Sequence, residues 1–387
     1  MSKTYVSYNN IISSLGFDSK TVVENIHNEI SGLELIDNKN VLPEPFYSAL
    51  INSEKLEIAF NKLNPKQDYT RLEKMMISSL SEVIHRSNME LNDRVGLIIS
   101  TTKGNVDALD ETNRFPKERA YLCELGKNVK EFFNFENDPI VVSNACVSGI
   151  LAVAIAKRYI QQNTYDHVFI VSGDVVTEFI LSGFNSFQAL SNKRCKPYDI
   201  NRTGINIGEV AASVLVTNTS ENLAKESVYI LGESSCNDAN HISGPSRTGE
   251  GLYRSMTSAL AQANILAKDI DYISAHGTAT MFNDEMEAIA LNRLQLQDVP
   301  LNSLKGYFGH TLGASGLLET IVGMHSLYNN TLYASKGFET LGVSKPINVI
   351  KKTTHKELIT FLKTASGFGG CNTAIIFKKS NQTKNHV

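Results

Sequence analysis

The chain has 387 residues, 42% hydrophobic and 20% charged, with a formal net charge of −3. That composition excludes a disordered chain, and the charge gives no global attraction to nucleic acid, so any basic surface must be local. Five cysteines, none in a C-x-x-C pair, suit a reduced compartment better than a disulfide framework or a zinc knuckle.

The N-terminal stretch "MSKTYVSYNNIISS" has no basic region followed by an apolar one, so no signal peptide is evident and a cytoplasmic protein is expected. Between 69 and 88, Leu72, Met75, Met76, Leu80, Val83 and Ile84 recur at helical spacing, which predicts an amphipathic helix. Val/Ile-rich runs predict buried strands at 94–100, 139–145, 167–173 and 209–218. The longest apolar stretch, Val147 to Ala156, ends at Lys157 and Arg158 and is about half the ~20 residues of a membrane span. A polar stretch, 217–227, suggests a boundary between two halves, 1–220 and 221–387. Beyond it come expected strands at 227–234, 271–277 and 373–379, expected helices at 251–266 and 314–330, and a polar, frayed tail at 378–387. Such alternation implies an α/β fold with its sheets covered by helices.

Four stretches place a reactive or orienting group beside glycine. They are "NACVSG" with Cys146, "AHGTATMFNDEMEA" with His276, "LKGYFGHTLGASG" with Lys305 and His310, and "TASGFGGCN" before the last strand. Cys146 is either an inert buried thiol or a nucleophile at a strand-to-helix turn, where the helix dipole would depress its pKa. The glycine pattern of "GHTLGASG" does not fit a dinucleotide fingerprint, and Cys146, His276 and His310 follow no common zinc spacing. A cysteine hydrolase is a further alternative, but it needs one general-base histidine and would leave the second histidine and the lysine without a role. One thiol and two imidazoles suit carbon–carbon bond formation between thioesters, because the enolate made by decarboxylating a malonyl thioester needs two hydrogen-bond donors.

The order and spacing of these stretches resemble the β-ketoacyl-[acyl carrier protein] synthases, the elongating condensing enzymes of the thiolase fold, over nearly the whole chain. The resemblance implies two related α/β halves in α-β-α-β-α layers, with no metal and no resident cofactor, the phosphopantetheine arm entering on the carrier protein. It makes Cys146 the acyl-accepting nucleophile, His276 and His310 the paired histidines, Lys305 the motif lysine and Glu319 the carboxylate that pairs with it. It further implies an oxyanion hole from the N–H groups of Cys146 and Phe368, and a phosphopantetheine contact from Thr278 and Thr280. Asp284 and Glu287 fall where the family has acidic residues after its H-G-T motif. Arg202 falls at a position that contacts the acidic carrier protein; Lys66, Arg71 and Lys74 fit that role or a solvated face. The implied partners are acyl carrier protein and either a second copy or a homologous synthase. A catalytically silent, chain-length-setting partner is an alternative, although such proteins lack the cysteine. The text departs from the family at "SYNNIISSLG", "GEVAA" and "STTKGN", which leaves fatty acid elongation and a specialised polyene or polyketide pathway both open.

Overall fold

The computed structural model describes residues 3–39, 41–238 and 243–380, so the expected frayed tail lies outside the described residues from 381 onward. In the first half, β1 (Tyr5–Ser13), β2 (Val95–Ser100), β3 (Ile140–Val142), β4 (His167–Asp174) and β5 (Val210–Thr217) lie in the order β3-β2-β4-β5-β1. In the second, β6 (Val228–Asn237), β7 (Tyr272–Ser274), β8 (Leu301–Asn302), β9 (Thr360–Gly367) and β10 (Cys371–Lys379) lie in the order β8-β7-β9-β10-β6. In each half the last strand runs antiparallel to its two neighbours, and three consecutive strands, β3-β2-β4 and β8-β7-β9, run parallel. The two halves therefore repeat one topology. They join through β1 and β6, at Tyr5 opposite Tyr229 and Val6 opposite Val228.

Alternation along the strands decides the layers. Ile98, Val168, Ile170, Val210 and Val214 of the first half and Phe361, Ile375 and Phe377 of the second turn into one shared core. Their neighbours Leu97, Ile99, Phe169 and Val171 turn the other way, onto α1 (Arg71–Ser87), which a Thr70–Glu73 capping box starts. The shared core holds two helices, α2 (Ser148–Gln161) and, later in the chain, Ser315–Asn329. The outer face of the second half is covered by α3 (Glu250–Ala263) and α4 (Met281–Arg293); Ser315–Asn329 is α5. The result is an α-β-α-β-α sandwich.

The first turns of α2 and α5 touch backbone to backbone. A Cβ on Gly149 would meet Gly313 O at 2.7 Å and Leu317 N at 2.9 Å, and one on Gly316 would meet Ile150 N at 2.7 Å. Only glycine permits that approach. It brings the N-terminal end of α2, from the first half, against the segment leading into α5, from the second.

β1 and β9 are strands that hydropathy did not mark. In β1 the buried positions include Ser7, Asn9 and Asn10: Asn9 Nδ2 donates to Glu226 Oε1 (3.0 Å) and Ser7 Oγ lies 2.8 Å from Ser227 Oγ, whereas Asn10 Oδ1 has no partner among the described residues. The expected strand at 139–145 stops at Val142, because the chain then turns into the Cys146 elbow.

Candidate active site

Cys146 lies two residues before α2, and the residue ahead of it, Ala145, has φ 43°. A side-chain-bearing residue in the left-handed region is strained, and the strain turns the thiol out of the strand direction at the end of β3. His276 follows β7, Lys305 and His310 follow β8, Glu319 lies in α5, and Phe368 follows β9. All but Glu319 sit beyond the C-terminal ends of parallel strands, where open α/β sheets gather ligands.

The structure brings the sulfur and both imidazoles together. Cys146 Sγ is 3.1 Å from His310 Nε2, and the rings of His276 and His310 lie 5.2 Å apart at 80°. Their hydrogen-bond partners fix both tautomers. Leu312 N–H points at His310 Nδ1 from 3.3 Å and can only donate, so that nitrogen accepts and the ring proton sits on Nε2. The Lys305 ammonium lies 3.4 Å from His276 Nδ1 and likewise can only donate, so His276 also carries its proton on Nε2. Burial pushes both imidazoles well below their ordinary range, and the Lys305 charge adds to it. Two neutral rings thus present an N–H each to the space in front of the sulfur.

Lys305 is buried, donating to His276 O at 2.6 Å and to Glu319 Oε1 at 2.8 Å. Asp284 and Glu287 hold the turn that carries His276. Glu287 accepts from the N–H groups of His276 (2.9 Å) and Gly277 (2.7 Å), and Asp284 from those of Thr278 (2.9 Å) and Tyr198 (2.7 Å). Burial pushes the Asp284 carboxyl up to about 7. The hydroxyls of Thr278 and Thr280 lie 2.9 Å apart on the wall of a cavity of about 350 Å³, which also exposes Cys146, His276, His310 and Phe368. Gly367 lies against the Cys146 amide, where a Cβ would come within 3.0 Å of Cys146 N, so the two backbone segments of the expected oxyanion hole adjoin. The Phe368 ring packs against Phe184, tilted, and against Phe187, edge to face, with centroids 5.7 and 5.5 Å away, and Phe282 stands exposed beside the cavity.

Two expectations need correction. The Cys146 thiol is not depressed: burial pushes it up to about 12, and the smaller pull of Lys305 and Lys103 does not offset that. Desolvation of an anion outweighs the helix end here. Arg202 is not on a docking face. Its side chain is 2% exposed, and its Nη1 donates to Asp199 O (3.0 Å) and Gly342 O (2.6 Å), with Nε 3.9 Å from Asp284. It pins a loop from inside. Arg71 is similarly occupied, bonding Glu209 through Nε (3.0 Å) and Nη2 (2.6 Å), and Lys74 pairs with Glu57 at 2.5 Å, whereas Lys66 is exposed.

Two buried charges escaped the sequence reading. Asp174, at the end of β4, accepts from Thr101 Oγ1 (2.9 Å), Thr102 Oγ1 (2.8 Å) and Gly313 N (2.8 Å), tying the loop after β2 to the His310 segment. Lys363, in β9, reaches Glu319 Oε2 at 2.7 Å from the side opposite Lys305. The available signal was weak: a lysine two residues from Phe361 and from Ala365, on the same face of the strand.

The fold and the clustered thiol and imidazoles define a condensing acyltransferase. Two family profiles match the sequence: the beta-ketoacyl synthase N-terminal domain over residues 20–222 and the C-terminal domain over 228–339. The chain belongs to the β-ketoacyl synthase family. It is 33% identical to 3-oxoacyl-[acyl-carrier-protein] synthase 2 of Rhizobium meliloti, over 62% of this chain and 60% of that protein. With 3-oxoacyl-[acyl-carrier-protein] synthase 1 of Buchnera aphidicola it shares 26% over 98% of this chain and all of that one. Among solved structures, the ishigamide ketosynthase/chain length factor aligns over 98% of this chain and 100% of its own (TM-score 0.90, 20% identity). A ketosynthase in complex with its chain length factor from Xenorhabdus doucetiae aligns over 98% of each chain (TM-score 0.87, 22% identity). These two likenesses are of fold. Among the described residues no helix is long and apolar enough to cross a membrane.

Proposed function

We propose that the protein extends an acyl thioester by two carbons, using malonyl-[acyl carrier protein] as donor and Cys146 as the acyl carrier between half-reactions. In the first, the Cys146 sulfur attacks the thioester carbonyl. The tetrahedral oxyanion is met by the N–H groups of Cys146 and Phe368, and the carrier's pantetheine thiol leaves with the proton that the Cys146 thiol gives up. The malonyl arm then occupies the cavity past Thr278 and Thr280. Its carboxylate leaves as carbon dioxide, and the bond pair becomes an enolate whose oxygen accepts from His276 Nε2–H and His310 Nε2–H. The enolate carbon attacks the acyl carbonyl, the C–S bond breaks with its electron pair on the Cys146 sulfur, which takes a proton from solvent to restore the thiol, and the 3-oxoacyl product is released. No step calls on a resident cofactor.

The observation that carries this reading is the pair of fixed tautomers, with His310 Nε2 3.1 Å from the sulfur. A hydrolase would need Nε2 of His310 free to accept, and Leu312 N–H already occupies the other nitrogen. A chain-length-setting partner would have no use for a thiol held against an imidazole. Carrier protein and a homologous partner subunit are proposed on the solved relatives, one of which is described as an acyl-carrier protein in complex with its ketosynthase. The test is mass spectrometry of the protein after incubation with a panel of acyl carrier thioesters. Acyl mass on the Cys146 peptide supports the synthase; hydrolysis without a covalent acyl-enzyme that malonyl carrier can discharge supports the hydrolase; an unmodified Cys146 in every case supports the silent partner.

A further inference from the structure

Lys363 is a lysine with no exposed surface, in a family site whose chemistry as set out above makes no use of it. Its ammonium donates to Thr364 O (2.6 Å) and Ser274 O (3.2 Å) and meets Glu319 Oε2 at 2.7 Å. The other oxygen of the same carboxylate takes Lys305 at 2.8 Å. One carboxylate between two ammonium groups gives the Lys305–Glu319–Lys363 trio a formal charge of +1, directly behind His276. Burying an ammonium is costly unless its charge is used or fully paired. Here it is half paired, since Glu319 must serve two partners.

We propose that Lys363 is a positioning residue that sets the charge of the Lys305–Glu319 pair, so that His276 and His310 stay neutral N–H donors as the pH falls. The inference rests on the two-donor reading above. Without Lys363 the cluster would sum to zero, and a proton on either ring would no longer be opposed by a net positive charge. The groups that face His276 are Lys305, His310, Cys146 and, through the backbone N–H of His276, Glu287. Those that face Lys363 are Glu319, Lys305 and Glu287. Glu287 is already committed to the N–H groups of His276 and Gly277 and to the Tyr198 hydroxyl, so it is not available to replace Glu319. Burial and the neighbouring positive charges push both imidazoles in the same direction, Lys363 being among those charges for each ring.

The experiment is the pH profile of kcat/KM for malonyl-carrier decarboxylation, whose acid limb reports protonation of an essential donor in the free enzyme. Lys363→Met lowers the cluster charge from +1 to 0, and its acid limb is expected to move up by about one pH unit, the size of effect that one close charge exerts. Glu319→Gln raises the charge to +2 and should move the limb down. The double variant returns it to +1 and should return the limb close to wild type. A Lys363→Met protein that decarboxylates more slowly at every pH, with its acid limb unmoved, has lost only a structural contact and overturns the inference. If Lys363→Met does not fold, Glu319→Gln alone decides: an unmoved limb overturns it. A wild-type protein that does not decarboxylate malonyl carrier at all fails the two-donor reading instead, which keeps the two failures apart.

Discussion

Replacing His310 by alanine separates the two half-reactions, and the geometry sets the size of each effect. His310 Nδ1 is held by Leu312 N–H and by Ser315 Oγ at 3.0 Å, so Nε2–H is its one donor, and it faces the cavity and the Cys146 sulfur. Decarboxylation builds negative charge on the malonyl thioester oxygen, and removing one of two donors to such an oxygen costs ~100- to 1,000-fold, or about 3–4 kcal/mol of transition-state stabilisation. Acyl transfer depends on Nε2–H only through its contact with the sulfur, where negative charge develops as the thiol gives up its proton, a hydrogen bond worth about 1.5–3 kcal/mol. It should therefore fall by about 10- to 100-fold and remain measurable. Folding should suffer little, because the space left adjoins an existing cavity of about 350 Å³ that admits water, and Leu312 N–H loses an acceptor worth about 1 kcal/mol. The assay is carbon dioxide release from malonyl carrier beside acyl-enzyme formation by mass spectrometry, with Cys146→Ala as the opposite control, decarboxylating without acylation. A His310→Ala enzyme that decarboxylates as fast as wild type would refute the two-imidazole mechanism.

The remaining predictions test the corrected and the supporting groups. Because burial holds the Cys146 thiol near 12, its iodoacetamide rate should climb about tenfold per pH unit from pH 6 to 9, and exposed Cys123 should label first at neutral pH; a plateau near pH 7 would restore the depressed thiol. Arg202→Met removes a buried guanidinium and two hydrogen bonds, and should cost about 3–5 kcal/mol of stability, read as a lowered thermal midpoint, with the folded protein still binding carrier normally. A stable Arg202→Met protein with weakened carrier affinity would put Arg202 back on the docking face. Lys305→Ala should slow both half-reactions, since it frees His276 Nδ1 and strands Glu319 with Lys363 alone; an effect confined to acyl transfer would count against its role in fixing the His276 tautomer.

What was legible in the sequence was what is encoded locally. Cys146, His276 and His310 each stand in a short glycine-flanked turn at a strand end, and a reader of sequence can see the turn, the strand before it and the reactive atom together. Arg202 failed that test. In "KRCKPYDINRTG" a basic residue reads the same whether it points to water or, as here, inward to the carbonyl of Gly342, 140 residues further on. β1 was hidden for a related reason: its inward positions carry Ser7 and Asn9, whose partners Ser227 and Glu226 come from the other end of the central boundary, so the alternation that marks a strand is absent. The protonation state of the His276 donor is the extreme case. Burial lowers it first, and Lys305 after β8 and Lys363 in β9 add to that while sharing Glu319 of α5, residues that no window of the chain contains together. The residues that perform chemistry can be read one turn at a time, whereas the protonation state that lets them perform it is a sum over segments that only folding adds up.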